Sequence, residues 1–292
     1  MTTPPRTPPP SPSPPRGLPV ARPDGTSFTV TLCSPQRADA PTVLVVPAMG
    51  LRAGWYRPLL ESLVGHGLGA AVTELRGHEE TGARRPGWRI DHGYADLVED
   101  LAAAVATVTT HVGRPPVVLG HSLGGHIACA HASRDPDAMS GLVLVAAGSI
   151  HWRLWSLRHL VLTQSAALLA QILGHFPGHR FGFGGREARR QMADWARFAR
   201  TGRLHFGRPA HDHTDDLARL RLPVLAISFD GDKLAPPASV DELLAALTNA
   251  SATRHHLETA DPSQPLDHLR WARHPEPVAT AITTWLATQP HA

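Results

Sequence analysis

Val117-Val118-Leu119-Gly120-His121-Ser122-Leu123-Gly124-Gly125 couples an apolar, β-type run to a Gly-x-Ser-x-Gly turn, and a helix-prone segment from Ile127 to Ser133 follows. This strand–turn–helix order is the context a nucleophile elbow requires. A turn that sharp holds its serine in strained backbone geometry. Side chains at 120 and 124 would collide with the neighbouring strand and helix, which accounts for the glycines there. The Ser122 hydroxyl is expected to project above the edge of a sheet. The backbone N–H of Leu123, at a helix N-terminus, is expected to point at a developing oxyanion.

A serine hydroxyl needs a base to take its proton, and the base needs an orienting carboxylate. With an elbow of this kind the order along the chain is Ser, then Asp or Glu, then His. Downstream, 222–229 (LPVLAISF) reads as a buried parallel strand that runs into Asp230-Gly231-Asp232. Open α/β sheets place site residues just past the C-terminal ends of their strands. Asp230 and Asp232 are both candidates for the acid; either could instead cap the turn or the helix starting near Pro237. With 19 histidines in 292 residues, proximity in sequence alone is uninformative. His255 and His256 fall inside a β-like run (252–258), and His274 stands at the entrance of the last helical pattern (275–286). His268 lies in the loop between the two, where the base is expected. The second oxyanion donor is expected in the loop Pro47-Ala48-Met49-Gly50 after the strand 42–46. By position it is the N–H of Met49, with that of Ala48 second.

These motifs resemble those of the α/β-hydrolase superfamily over most of 41–286. Val45–Gly50 resembles the family's oxyanion loop, with Pro47 where many members have His. Glu74-Leu75-Arg76-Gly77-His78-Glu79 resembles its D-x-R-G-H-G segment, with Glu74 for Asp and Glu79 for the last Gly. Gly120–Gly125 matches the elbow without a change. Asp232, four residues before Pro236, resembles the acid turn, which favours it over Asp230. Asp267-His268, followed by Pro275-Glu276-Pro277-Val278, resembles the Gly-His turn before the last helix, with Asp267 in place of Gly. The Pro-Ala-Met-Gly loop and the Trp-bearing insert resemble a bacterial branch of uncharacterised hydrolases. The resemblance implies an α/β fold with a mostly parallel sheet, helices on both faces and a helical cap insert. It implies Ser122, His268 and Asp232 as nucleophile, base and orienting acid. The serine sets the chain apart from the epoxide and haloalkane hydrolases of this fold, whose nucleophile is Asp.

The length suits one large domain with an insert, and 42% hydrophobic residues suffice for a core. Cys33 and Cys129 do not suggest a disulfide framework and fit a reducing compartment. No run reaches the ~18 apolar residues of a membrane span, and the N-terminus lacks the apolar centre of a signal peptide, so a cytoplasmic location is expected. The formal net charge is +3, carried by scattered arginines; Lys233 is the only lysine. No basic stripe with interleaved aromatics speaks for nucleic acid as a partner. His211-Asp212-His213 imitates a metal signature but stands in a connection without further ligands, so neither a metal nor another cofactor is expected.

Residues 1–23, with ten prolines, are expected to form a disordered tail. Residues 24–147 and 216–292 are the two parts of the hydrolase core, and 148–215, where the β pattern vanishes, is the cap. Ser27–Cys33 reads as an edge strand. Trp152, Trp155, Met192 and Trp195 of the insert, with His121, are candidate lining of an apolar acyl pocket. Ala188, Met192, Trp195 and Ala199 share one helical face. The functional expectation is a serine hydrolase cleaving a small carboxylic ester or thioester with an apolar acyl group through an acyl-enzyme. An acyltransferase or cyclase would use the same serine. The departures at Pro47, Glu79 and Asp267 leave a non-catalytic, hydrolase-like binding protein as a third reading.

Overall fold

The computed structural model describes residues 14–35, 37, 39–82 and 84–289. Strands β1 (Arg16–Ala21) and β2 (Ser27–Cys33) form a hairpin. There follow β3 (Thr42–Val46), α1 (Arg57–Gly65), β4 (Gly69–Thr73), α2 (Tyr94–Val112), β5 (Val117–His121), α3 (Leu123–Arg134) and β6 (Gly141–Val145). The chain then leaves the sheet. It forms α4 (Leu157–Leu173), the short strands β7 (His175–Pro177) and β8 (Arg186–Ala188), α5 (Arg189–Thr201), and the two-residue strands β9 (His205–Phe206) and β10 (His211–Asp212). It returns through α6 (His213–Leu217) to β11 (Pro223–Phe229), α7 (Pro237–Ala245), β12 (Ser251–Leu257) and α8 (Glu276–Thr288).

Eight strands pair in the order β1-β2-β4-β3-β5-β6-β11-β12. From β4 to β12 every neighbour is parallel, and β1 and β2 are antiparallel additions. Helices cover both faces, so β3, β5 and β6 are buried along their whole length, as their unbroken apolar runs require. From β3 the chain crosses to β4 on one side and later to β5 on the other. The strand order therefore reverses between β3 and β5, and their C-terminal ends flank the crevice where ligands bind in such sheets.

Two expectations change at the N-terminus. Residues 1–13 lie outside the described residues, but 16–21 form β1 rather than a disordered tail. Leu18 and Val20 point into the core at 2% and 4% exposure, an alternation masked by the proline-rich composition around it. Pro19 is tolerated because β1 is the edge and one of its sides needs no donor. β2 is accordingly not an edge strand; it lies between β1 and β4. The segment between β6 and β11, which shows no strand pattern in sequence, carries two small two-stranded sheets, β7–β8 and β9–β10. Strands of two or three residues are too short to display a period.

If β1 is part of the core, Leu18→Ala should cost about 2–5 kcal/mol, as for other buried leucines. Urea denaturation reads this directly; an unchanged midpoint would show that β1 is dispensable.

Candidate active site

Ser122 occupies the crevice. It caps α3 with φ 53° and ψ −115°, a conformation that L-residues adopt only where the surroundings enforce it. The enforcement is steric. A Cβ on Gly120 would lie 2.4 Å from Gly125 Cα, one on Gly124 2.2 Å from the Val46 carbonyl oxygen, and one on Gly125 2.4 Å from Ala147 Cβ. The start of α3 is thus pressed against β5, the end of β3 and the segment after β6. The Ser122 N–H donates to Val145 O at 3.1 Å, which fixes the turn to β6.

Three elements bring the polar groups together. His268 Nε2 lies 2.9 Å from Ser122 Oγ, and His268 Nδ1 lies 3.0 and 2.9 Å from the two oxygens of Asp232. Asp232 is 4% exposed, and its Oδ1 also accepts from the N–H groups of Leu234 and Ala235 at 2.8 and 2.9 Å. Asp230 serves the loop instead, accepting from Gly231 N, Thr259 N and Thr259 Oγ1. Asp267, the residue replacing glycine beside His268, accepts from the N–H groups of Leu269 and Arg270 at 3.0 and 2.8 Å and so caps the short helical turn behind His268. Of the other histidines considered, His256 Nδ1 is 2.8 Å from Ser228 Oγ. His274 closes the turn after 270–273 through its backbone N–H, and His255 stays within β12.

His121 is fully buried and does not line the cavity. Its Nδ1 lies 2.7 Å from Tyr56 Oη and its Nε2 2.7 Å from the carbonyl oxygen of His268. Tyr56 Oη also accepts from Ala48 N–H at 2.9 Å, so its own proton goes to His121 Nδ1, and His121 Nε2–H donates to His268. Burial, reinforced by the nearby His268, holds His121 well below the ordinary histidine range and keeps it neutral. The result is a buried strut from the 47–50 loop through Tyr56 and His121 to the backbone of His268. It occupies the Ala48 N–H and leaves Met49 at the second position of the Ala48–Leu51 turn, whose Gly50 has φ 80°.

A cavity of about 200 Å³ opens over Ser122, far more than a single water occupies. Trp155, Phe183 and Trp195 of the insert line it, with Met49, His126 and Leu234 from the body. Two of the four expected insert residues are absent from this lining. Trp152 packs by its edge on His151 and stacks under Arg153. Met192 is 0% exposed in the core, because the face of α5 that carries it seats the helix on the body. His126, one turn after Ser122, gave no sequence signal beyond helix position. Its Nε2–H donates to Gly148 O at 2.9 Å, and burial pushes its pKa down to about 4.

The insert is fastened by buried polar groups. Glu187 is fully buried and accepts from Gly185 N at 2.6 Å, Gln191 Nε2 at 2.8 Å and His78 Nε2 at 3.2 Å. Burial alone would lower His78, but the Glu187 charge and hydrogen bond hold it above its ordinary value. Burial likewise pushes Glu187 up, and His78 with the N–H donors holds it below. Gln191 Oε1 in turn accepts from His92 Nε2 at 3.0 Å. Beside this network, Gly184 and Gly185 cross Gly50 so closely that a Cβ there would meet their backbone at 2.5 Å. His78 belongs to the Arg-Gly-His segment noted in sequence, and here it is an anchor for the insert.

The His211-Asp212-His213 stretch is dispersed. His211 pairs with Asp216, Asp212 with Arg203, and His213 with Ser133. Among the described residues no group of three or more His, Cys, Asp or Glu is placed to hold a metal ion.

The hydrolase family described as "Serine aminopeptidase, S33" matches residues 37–260. A monoacylglycerol lipase of Mycolicibacterium smegmatis is 34% identical over 107 residues, which cover 36% of this chain and 37% of that protein. The match thus spans little more than a third of that relative's length. Among solved structures, a thermophilic esterase from Thermogutta terrifontis aligns with a TM-score of 0.63 at 20% identity, covering 93% of this chain and 98% of that one. A monoacylglycerol lipase of Paleococcus ferrophilus aligns with a TM-score of 0.59 at 20% identity, covering 91% and 99%. At these identities the likeness is one of fold.

Tyr56→Phe should strand the Ala48 N–H and His121 Nδ1, each at about 1–3 kcal/mol, and lower the calorimetric melting temperature by several degrees. An unchanged melting temperature would disprove the strut. Acid should destabilise the fold for a related reason. His92 and His126 are both fully buried, and burial pushes each down to about 4 from an ordinary 6.5. Between those values the unfolded chain binds protons that the native state refuses, so stability rises with pH there and falls as pH drops from 6.5 to 4. The loss is ~3 kcal/mol per histidine. Thermal melts across pH 4–8 should show this slope, shallower in His126→Asn.

Proposed function

The chain belongs to the serine aminopeptidase S33 family of α/β-hydrolases, and from that premise we propose that it cleaves a carboxylic ester or thioester with an apolar acyl group. The observation that carries the reading is the unbroken hydrogen-bonded chain from Ser122 Oγ through His268 to the buried Asp232, under an apolar cavity. Ser122 Oγ attacks the acyl carbon while His268 Nε2 takes its proton. Asp232 holds the imidazole in the required tautomer and stabilises its charge. His268 then returns the proton to the departing alcohol or thiol, and water, activated in the same way, releases the acyl group.

The developing oxyanion is held by two backbone donors. Leu123 is the first residue of α3, so its N–H has no partner within the helix. Met49 is favoured over Ala48 as the second, since Tyr56 already takes the Ala48 N–H. The insert 148–215 acts as a cap: Trp155, Phe183 and Trp195 supply an apolar roof that displaces water around the acyl group.

An ester is favoured over a peptide with a free N-terminus. Among the described residues, those lining the cavity include no Asp or Glu, so an α-ammonium group would be desolvated there without a counter-charge. The lipase and esterase named among the related proteins agree with that preference.

A fluorophosphonate probe should label the wild-type protein and leave Ser122→Ala and His268→Ala unlabelled. With p-nitrophenyl esters, Asp232→Asn should lower kcat about 10⁴-fold, while Asp230→Asn stays within a few-fold of wild type. A well-folded wild-type protein that neither labels nor turns over esters would leave the fold serving as a binding protein.

A further inference from the structure

Helix α4 is inverted relative to an ordinary surface helix. Its fully buried positions are Thr163 and Ala170. Its large apolar side chains Leu157, Val161, Leu162, Leu168, Ile172 and Leu173 stand 42–65% exposed. At 100° per residue, Leu157, Val161, Leu168 and Ile172 fall within one narrow stripe, and Leu162 and Leu173 extend it on one side. Scattered exposed leucines need no explanation, but a contiguous row along one helix marks an interaction surface. Phe181, just beyond β7, is 62% exposed as well. The helix is about 25 Å long, and no helix among the described residues is long and apolar enough to cross a membrane.

The charges around this face have one sign. Residues 149–186 contain no Asp or Glu. Arg153, Arg158 and Arg180 are exposed there, and no carboxylate partners them among the described residues. Elsewhere in the insert several arginines are engaged: Arg189 and Arg190 pair with Asp91, and Arg203 with Asp212 and Asp215. A second copy of the chain suits the face poorly. A two-fold contact sets each patch against itself, which would bring these arginines together with no carboxylate of the segment between them. An apolar stripe bordered by unpaired cations fits a surface that is apolar within and anionic at its rim.

We propose that the outward face of α4, with Arg153, Arg158 and Arg180, docks on a lipid surface carrying anionic headgroups. The helix lies in the plane of that interface. Trp155 and His159, in and just before its first turn, line the cavity, as do Leu234 and Leu269, themselves 47% and 38% exposed. The first turn of a docked α4 thus borders the cavity as well as the lipid surface. The proposal concerns this surface and does not depend on the reaction at Ser122.

The test is co-sedimentation of the full chain with phosphatidylcholine vesicles, with and without about 30 mol % phosphatidylglycerol. Binding to the anionic vesicles is expected, weaker by roughly tenfold or more on pure phosphatidylcholine or in high salt. Leu168→Gln/Ile172→Gln should lose binding at an unchanged melting temperature, since both positions are exposed. Arg153→Ser/Arg158→Ser, also on exposed positions, should lose the preference for phosphatidylglycerol. The proposal is overturned if the wild type does not pellet with anionic vesicles, or if both variants pellet as the wild type does. It is also overturned if sedimentation velocity finds a dimer that Leu168→Gln/Ile172→Gln disperses, which would make a second copy the occupant.

Discussion

The contact between the start of α3 and the ends of β3, β5 and β6 sets everything else in this molecule. Gly120 and Gly124 bring backbone to backbone, and Gly125 brings backbone to Ala147, at separations no side chain would permit. That closeness is what holds Ser122 at φ 53°. The strain is local, and its cost is spread over a fully buried set of parallel strands. A looser seat would let the serine relax toward ordinary helical geometry and carry its hydroxyl away from His268. The reversal of strand order between β3 and β5 places this seat at the open end of the sheet, where loops from β3, β11 and β12 can reach it.

Those loops are positioned by buried polar groups rather than by apolar packing alone. The strut Ala48–Tyr56–His121–His268 joins the loop after β3 to the loop after β12 across the floor of the site. The His78–Glu187–Gln191–His92 network joins the insert to the loop after β4. In a low-dielectric interior each such group is costly if left unpaired. The networks therefore define a single arrangement more sharply than interchangeable aliphatic contacts would. They also account for several of the 19 histidines, which hold loops rather than perform chemistry.

Particular residues show where reading the sequence stops. The Gly-x-Ser-x-Gly turn and the apolar runs at 42–46, 117–121 and 222–229 were legible because buried parallel strands and tight turns leave a local signature. The candidates Ser122, Asp232 and His268 came from motif and chain order, and folding brings them within hydrogen-bonding distance. His121 is a candidate pocket residue in sequence, and the structure removes it from the cavity. Alternation in β5 turns it to the opposite side, where Tyr56 and the His268 carbonyl wait 65 and 147 residues away in sequence. Met192 and Trp195 share a helical face by periodicity, yet only the cavity geometry separates the one that seats the helix from the one that lines the roof. β1 leaves no clear signal in the sequence because prolines dominate the composition around a two-residue alternation.

The sequence by itself determined the buried strands and the elbow, since these follow from short-range sterics and hydrophobic period, and its resemblance to the α/β-hydrolases supplied the parallel sheet and the order of the polar partners. Only the tertiary structure set Asp232, and not Asp230, against His268, turned His121 and His78 into struts, and faced the large residues of α4 outward. These outcomes depend on which groups meet across long stretches of chain. No local pattern records a hydrogen-bond partner a hundred residues away, or which side of an apolar helix the body leaves uncovered.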